Sequence, residues 1–182
     1  NETTDFQNGL FSKQWGPASW DDAIIQGPHL HVSTPLYKQP NESMKSNKDW
    51  TSTDLETLPV DAQPVTQYKP AGDQATYDRL YTHWGDSSAR DHYRIAWRAM
   101  AANTGERTLI PAIIPPGAAH PNGVFSTGSP RLSPSDLVIL QAGSSSLLTD
   151  FALRALPKSG IYFPDFSRLP AAPIKHPLAA GA

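Results

Sequence analysis

Cysteine is absent from the 182 residues of this chain. That excludes disulfides and thiolate-held zinc, and suggests a cytoplasmic setting. No apolar run is long enough to cross a membrane, and the first residues lack the charged-then-apolar layout of a signal peptide. Apolar residues make up only 38% of the composition, enough for one domain with a core of moderate size. A basic surplus is also missing: 15 Lys and Arg stand against 17 Asp and Glu, for a formal net charge of −2. Proteins that bind duplex DNA unaided usually carry excess positive charge, because phosphate neutralisation dominates their affinity. Any such role here requires segregated charge, or phosphate contacts supplied by a partner domain. Segregation is visible in part. Arg90, Arg94, Arg98 and Arg107 cluster against only Asp91 and Glu106, whereas the stretch from Asp49 to Asp61 carries Asp49, Asp54, Glu56 and Asp61 and no Lys or Arg.

Proline, by contrast, is abundant at 18 residues, which makes the chain rich in loops. The most informative stretch runs from Tyr93 to Gly117. It reads as two strands joined at Asn103-Thr104-Gly105 and closed by Pro115-Pro116-Gly117. In the first strand Tyr93, Ile95 and Trp97 point one way, and Arg94, Ala96 and Arg98 the other. Further strands are expected over Asp22–Val32, interrupted at Gly27-Pro28, and over Pro64–Lys69 within a polar excursion spanning residues 39 to 70. His120 to Ser135 reads as a loop. Leu137–Leu140 reads as a short strand, Ser144-Ser145-Ser146 as a helix cap, and Leu147–Leu156 as a helix. The expected fold class is α+β: a mixed, mostly antiparallel sheet with a C-terminal helix and long Pro-rich loops.

Several residues invite chemistry. Arg94 and Arg98 share a strand face about 13 Å apart by strand rise, close enough to meet one DNA groove. The competing reading has them flanking the sheet and pairing with Glu106, Asp91 or a neighbouring domain. His29 and His31 would face one way in a strand, and His83, His92 and His120 could add metal ligands, but no carboxylate is placed with them, so no metal is expected. Gly143-Ser144-Ser145-Ser146-Leu147 lacks the second glycine of a nucleophile elbow, so a helix cap is the better reading. No catalytic residue is assigned. The tryptophans Trp15, Trp20, Trp50, Trp84 and Trp97 suit a core or an interface.

The ordered combination of Tyr93-Arg94, Arg98, Glu106-Arg107-Thr108-Leu109-Ile110 and Ile113-Ile114-Pro115-Pro116-Gly117 resembles the target-recognition region of adenine-specific DNA methyltransferases of bacterial restriction–modification systems, including fused restriction–methylation enzymes. Ile25-Gln26-Gly27-Pro28-His29 with Thr34-Pro35-Leu36-Tyr37-Lys38 resembles the opening of that region. Leu137–Leu156 followed by Phe163–Pro170 resembles its end. The resemblance covers roughly Phe11 to Pro177. It implies recognition of double-stranded DNA, with Arg90, Arg94, Arg98, Arg107, His120 and Asn122 as candidate contacts. Arg107, in the Glu-Arg-Thr stretch, would be a structural or phosphate contact rather than a base reader.

The Asn/Asp-Pro-Pro-Tyr/Phe tetrapeptide and the glycine loop for S-adenosylmethionine are missing. Cofactor and catalysis are therefore expected in a methyltransferase domain of the same parent chain. Residues 1–20 are expected to form a docking segment, 21–177 the recognition domain and 178–182 a tail, the whole being an excised part of a larger protein. The alternatives are a structural domain that docks the methyltransferase to a nuclease or translocase, and a carbohydrate-binding module.

Overall fold

In the computed structural model, residues 2–100, 104–156 and 159–170 are described. Asn103 of the expected turn lies outside them, as do the end of the expected recognition domain and the whole expected tail, within residues 171–182. The fold is α+β, with small antiparallel sheets and peripheral helices.

The centre is a three-stranded sheet. Strand β7 (Arg94–Arg98) lies between β8 (Pro111–Ile114) and β9 (Val124–Thr127), antiparallel to both. The pairing of β7 with β8 follows from the two runs of β-branched and aromatic residues read in the sequence. Strand β9 falls inside the stretch expected to be a loop. Its four residues are short and flanked by Gly123 and Gly128, so the signal was masked by its surroundings.

Both faces of β7 are buried, as befits a central strand. Trp97 packs on one side with Leu109, Leu153 and Ile161. Its ring lies 4.1 Å from that of Phe166, nearly parallel, and its indole N–H donates to the Ile161 carbonyl at 2.9 Å. On the other side Ala96 joins Ala112, Ile114, Val124 and the N-terminal residues Ala18, Ala23, Ile25 and Leu30.

Around this centre lie three two-stranded sheets. Strand β1 (Phe11–Pro17) pairs with β4 (Val65–Pro70), with an irregularity between Lys13 and Gly16. Strand β2 (Lys38–Pro40) pairs with β3 (Trp50–Ser52), and β5 (His83–Trp84) with β6 (Ser87–Ser88). Phe11 is buried with Ile24, Tyr77 and Ala119. Part of the expected docking segment is thus integral to the fold.

Helix α1 (Glu2–Gln7) precedes β1, and α2 (Gln74–Leu80) starts at Asp73, whose carboxylate accepts the Thr76 N–H at 2.8 Å.

Two expectations need correction. Leu137–Leu140 is not a strand but lies within helix α3 (Pro134–Ser144). Ser133 and Asp136 form a reciprocal capping box, and Pro134 takes the first helical position, where its missing N–H costs nothing. A short apolar run alone could not separate strand from helix. Asp22–Val32 is likewise not a strand. It runs from the end of one single-turn 3₁₀ helix, Trp20–Asp22, through a second, Gly27–His29, and contributes two isolated bridges, Ile24 to Ala119 (parallel) and His31 to Thr34 (antiparallel). Pro28 supplies no N–H for a ladder and fixes the turn instead. Helix α4 (Leu147–Arg154) is capped by Ser146 as the serine run suggests, and α5 (Phe163–Phe166) follows.

Candidate functional site

The arginines are the first surprise. Arg90 and Arg94 are buried, not presented to solvent. Arg90 sits in the single-turn 3₁₀ helix Ala89–Asp91, and its guanidinium is fully engaged. It donates to the Gly117 carbonyl at 2.8 Å from Nε, to the Asp21 carbonyl at 2.5 Å from Nη2, and pairs with Asp78. The Tyr77 ring covers it at 4.9 Å. Arg94 donates to Tyr81 Oη at 3.1 Å and to the Ala118 carbonyl. These corrections have one cause. Arg94 on β7 and Arg90 in the turn just before it both reach toward the N-terminal segment and the 117–118 turn, and the long side chains satisfy the carbonyls of Asp21, Gly117 and Ala118. Neither arginine can reach a DNA groove from there.

Gly117 shows how tight that junction is. Its φ is +86°, and a Cβ would lie 2.8 Å from Asp21 Cα.

Arg98 and Arg107 are different. Arg98 spends one edge of its guanidinium on Gly27 O at 2.7 Å and Leu30 O at 2.5 Å, donating from Nε and Nη2 and not from Nη1. Arg107 donates from Nη2 to Ser145 O, lies 3.9 Å from Asp150 through Nε, and that Nε makes no hydrogen bond. Both line one cleft of about 460 Å³. The β2–β3 hairpin supplies another wall with Lys38, Lys48 and Trp50, while the rings of His31 and Tyr37 meet tilted at 44°, 4.3 Å between centroids. Lys38 Nζ sits 5.2 Å from the Tyr37 ring centre. Four cations and two large aromatic rings thus converge, with Glu106 the one carboxylate on the lining.

The hairpin is held by its own polar side chains. Asn41 Nδ2 donates to Asp49 at 2.7 Å, Ser43 Oγ at 2.8 Å and Lys45 N at 3.1 Å, while Thr51 Oγ1 donates to Asn41 Oδ1 at 2.6 Å. The Asn41 and Ser43 hydrogen bonds hold the Asp49 carboxyl below its ordinary pKa. The acidic stretch beginning at Asp49 is therefore not remote from the arginines: its first turn flanks the cleft that Arg98 lines.

His29 anchors Trp50 from below, edge to face at 4.8 Å. The Gln26 N–H donates to His29 Nδ1 at 2.9 Å, so the ring proton belongs on Nε2, which donates to Val65 O at 2.9 Å. Burial, partly opposed by the backbone hydrogen bonds, lowers the pKa of this imidazole to about 4. His31 in the cleft is lowered too, by burial first and then by the Arg98 charge.

The remaining candidates lie elsewhere. His120 and Asn122 border a second cavity of about 320 Å³ together with Tyr81, Trp84 and Ser126. His120 Nε2 is 2.8 Å from Ser126 Oγ, and burial with the Arg94 charge lowers its pKa to about 4. Asn122 is exposed at the rim. The six sequence candidates thus divide into two that hold the fold, two in the basic cleft and two in this cavity. Tyr37, Lys38, Lys48 and Trp50 were missed. Their signal was faint: two adjacent aromatic–lysine groupings in a polar stretch, far apart in sequence from Arg98.

Among the described residues no group of three His, Cys, Asp or Glu converges on a metal site. His83 Nδ1 lies 2.8 Å from Tyr81 O and His92 Nε2 2.8 Å from Ser87 Oγ. Ser144 Oγ donates back to Leu140 O at 2.8 Å inside α3, as a helix-terminal serine does. No family model matches the chain, and neither a curated protein nor a solved structure does. No described helix is long and apolar enough to cross a membrane.

Proposed function

We propose that this chain is a sequence-specific recognition domain for double-stranded DNA, acting with an adenine methyltransferase domain of the same parent protein. The observation that carries the reading is the cleft in which Lys38, Lys48, Arg98 and Arg107 meet Tyr37 and Trp50. Cations beside aromatic rings suit a polyanion with stacked bases. The resemblance set out above supplies the DNA class and the methyltransferase. S-adenosylmethionine is assigned to the partner domain, since the chain lacks the tetrapeptide and loop that would hold it.

Base readout falls to side chains at the mouths of the two cavities, with Asn122 able to offer its amide to an adenine edge. The target adenine would then be turned out toward the partner domain.

The test is selection from a pool of random duplexes. One enriched motif is expected, with affinity that falls as salt rises. Replacing both Lys38 and Lys48 by Ala should weaken all sequences alike. A pool that emerges unenriched, with no duplex retained at low salt, refutes the reading.

One observation favours a docking role beside this one. Leu147, Leu148 and Phe151 on α4 are 75%, 69% and 70% exposed. The methyltransferase domain is the partner proposed for that face. Replacing the three by Ser should weaken association of the two domains without changing DNA binding by this one.

A further inference from the structure

The basic cleft combines two guanidinium groups that are each half used. Arg98 is fixed by the carbonyls of Gly27 and Leu30, and Arg107 by that of Ser145. Neither is free to swing. Yet Arg107 Nε is buried without a hydrogen bond, and the bonds of Arg98 and Arg107 within the described residues leave from Nε and Nη2, not from Nη1. Arg90, by contrast, has a partner at every guanidinium nitrogen, on Gly117, Asp21 and Asp78, while Arg94 shares with Arg107 a buried Nε without a hydrogen bond but lies outside the cleft. Leaving N–H groups unpaired at a partly buried position costs free energy unless something else accepts them. The nearest carboxylate to Arg107, Asp150, does not serve. One of its oxygens takes the Thr108 and Leu109 N–H groups at 2.7 and 2.8 Å and the other the Arg154 Nε at 2.8 Å. Lys38 and Lys48 add positive charge across the cleft, with no hydrogen bond or ion pair of their own from Nζ among the described residues.

We infer that the Arg98–Arg107 corner of this cleft is a phosphate-binding subsite, pre-formed in the free protein. It rests on the DNA reading above for its natural ligand, a backbone phosphodiester. The same chemistry would also accept the phosphate of a free nucleotide. Two guanidinium edges held in place by carbonyls lose little side-chain freedom on binding, which makes them better phosphate ligands than mobile lysines. A contact of this kind fixes the register of the duplex and carries no sequence information. Sequence reading is thereby left to other side chains.

The experiment measures binding of a labelled short duplex and of deoxyadenosine monophosphate to the whole chain, for the wild type, Arg107→Lys and Lys48→Gln, over a range of salt. Arg107→Lys keeps the charge and removes the fork. It is expected to weaken duplex binding roughly tenfold, the scale of one charge-assisted hydrogen bond. Lys48→Gln, at an exposed residue whose hydrogen bonds to Ser46 and Trp50 are made by its backbone, should lower the salt slope by about one. Melting curves of each variant separate a binding loss from unfolding, and if Arg107→Lys does not fold, the Lys48→Gln slope decides. Duplex binding left unchanged in affinity and salt slope by both substitutions overturns the subsite and leaves DNA recognition standing. Uptake of the mononucleotide that depends on Arg107, with no duplex binding, keeps the subsite and overturns the DNA reading instead. Duplex binding lost as stated, with the mononucleotide bound weakly or not at all, identifies the backbone phosphodiester as the ligand.

Discussion

Replacing Asp150 by Ala should unfasten the cleft from the helical side of the molecule. Asp150 is 3% exposed and lies near the start of α4. One carboxylate oxygen accepts the N–H groups of Thr108 and Leu109 at 2.7 and 2.8 Å; the other accepts Arg154 Nε at 2.8 Å. Arg107 lies 3.9 Å away. Thr108 and Leu109 are themselves buried, so water cannot easily replace the lost acceptor. Each buried N–H deprived of that acceptor costs about 1–3 kcal/mol, and hydrogen bonds to a charged group lie toward the upper part of the range. Because the three bonds share one carboxylate, their losses do not simply add, and a total of about 3–5 kcal/mol is expected. For a chain of this size that lowers the melting temperature by roughly 6–20 °C. Asp150→Asn keeps an acceptor for the two N–H groups and loses the charge, so it should cost less than half as much.

The carboxylate adds a signature in pH. Burial raises its pKa, but the hydrogen bonds from Leu109, Thr108 and Arg154 and the Arg107 charge outweigh burial and hold it below the ordinary value. The stability it supplies is therefore full above the unfolded pKa of about 3.9 and disappears as pH falls through the lower folded value. The gap between wild type and Asp150→Asn should close in that same acid range. Calorimetric melting at neutral and acid pH checks both parts. An Asp150→Ala protein that melts within about 2 °C of the wild type would show that the carboxylate is not what ties residues 107–109 to α4.

Two further outcomes are expected. His29, with a pKa lowered to about 4 by burial, is neutral when folded and takes up a proton near 6.5 when unfolded, and His120 is lowered in the same direction. Stability should be full above pH 6.5 and fall as pH drops toward 4, by about 3 kcal/mol for His29 alone. Urea midpoints at successive pH values measure this; a flat profile between pH 7 and 5 would contradict it, and His29→Asn should remove its share of the slope. Gly117→Ala forces a Cβ against Asp21 at a left-handed φ, next to the carbonyl that Arg90 holds. It should cost at least about 2 kcal/mol by the same denaturation assay, more than the ordinary strain of a non-glycine residue at positive φ.

The sequence revealed most where local pattern and tertiary role coincide. Ile95 and Trp97 alternate with Arg94, Ala96 and Arg98, and β7 does carry those two faces. Ser146 caps a helix where the serine run said a helix would start. Pattern failed where one local signal has two tertiary solutions. Leu137–Leu140 is four apolar residues in either a strand or a helix, and the deciding cap, Ser133 with Asp136, lies just upstream. The arginines misled for a deeper reason. Exposed guanidinium and buried guanidinium look the same in a sequence, and only the three-dimensional supply of unpaired carbonyls around residues 21–30 and 117–118 distinguishes them. The cleft was illegible because its walls come from positions 28–50, from Arg98 and from positions 105–110, brought together by long-range packing that no short spacing records.

The burial of Arg90 and Arg94 also bears on how fast a partner can be found. Two of the chain's cations lie beneath its surface, Arg90 neutralised by Asp78 and Arg94 enclosed by Tyr81 and Ala118. Asp150 and Asp165 are buried too, so the solvent-facing charge keeps the slight acidic excess of the whole chain. A polyanion approaching from beyond the Debye length of about 10 Å meets no broad attractive field. Among the described residues, four cations converge at the cleft. Association should therefore proceed at an unsteered rate of about 10⁵–10⁶ M⁻¹s⁻¹, with salt acting mainly on how long the complex lasts. On the DNA reading proposed above, such a domain would search slowly by itself, and tethering it to a partner domain that contacts DNA would raise its local concentration instead of its charge.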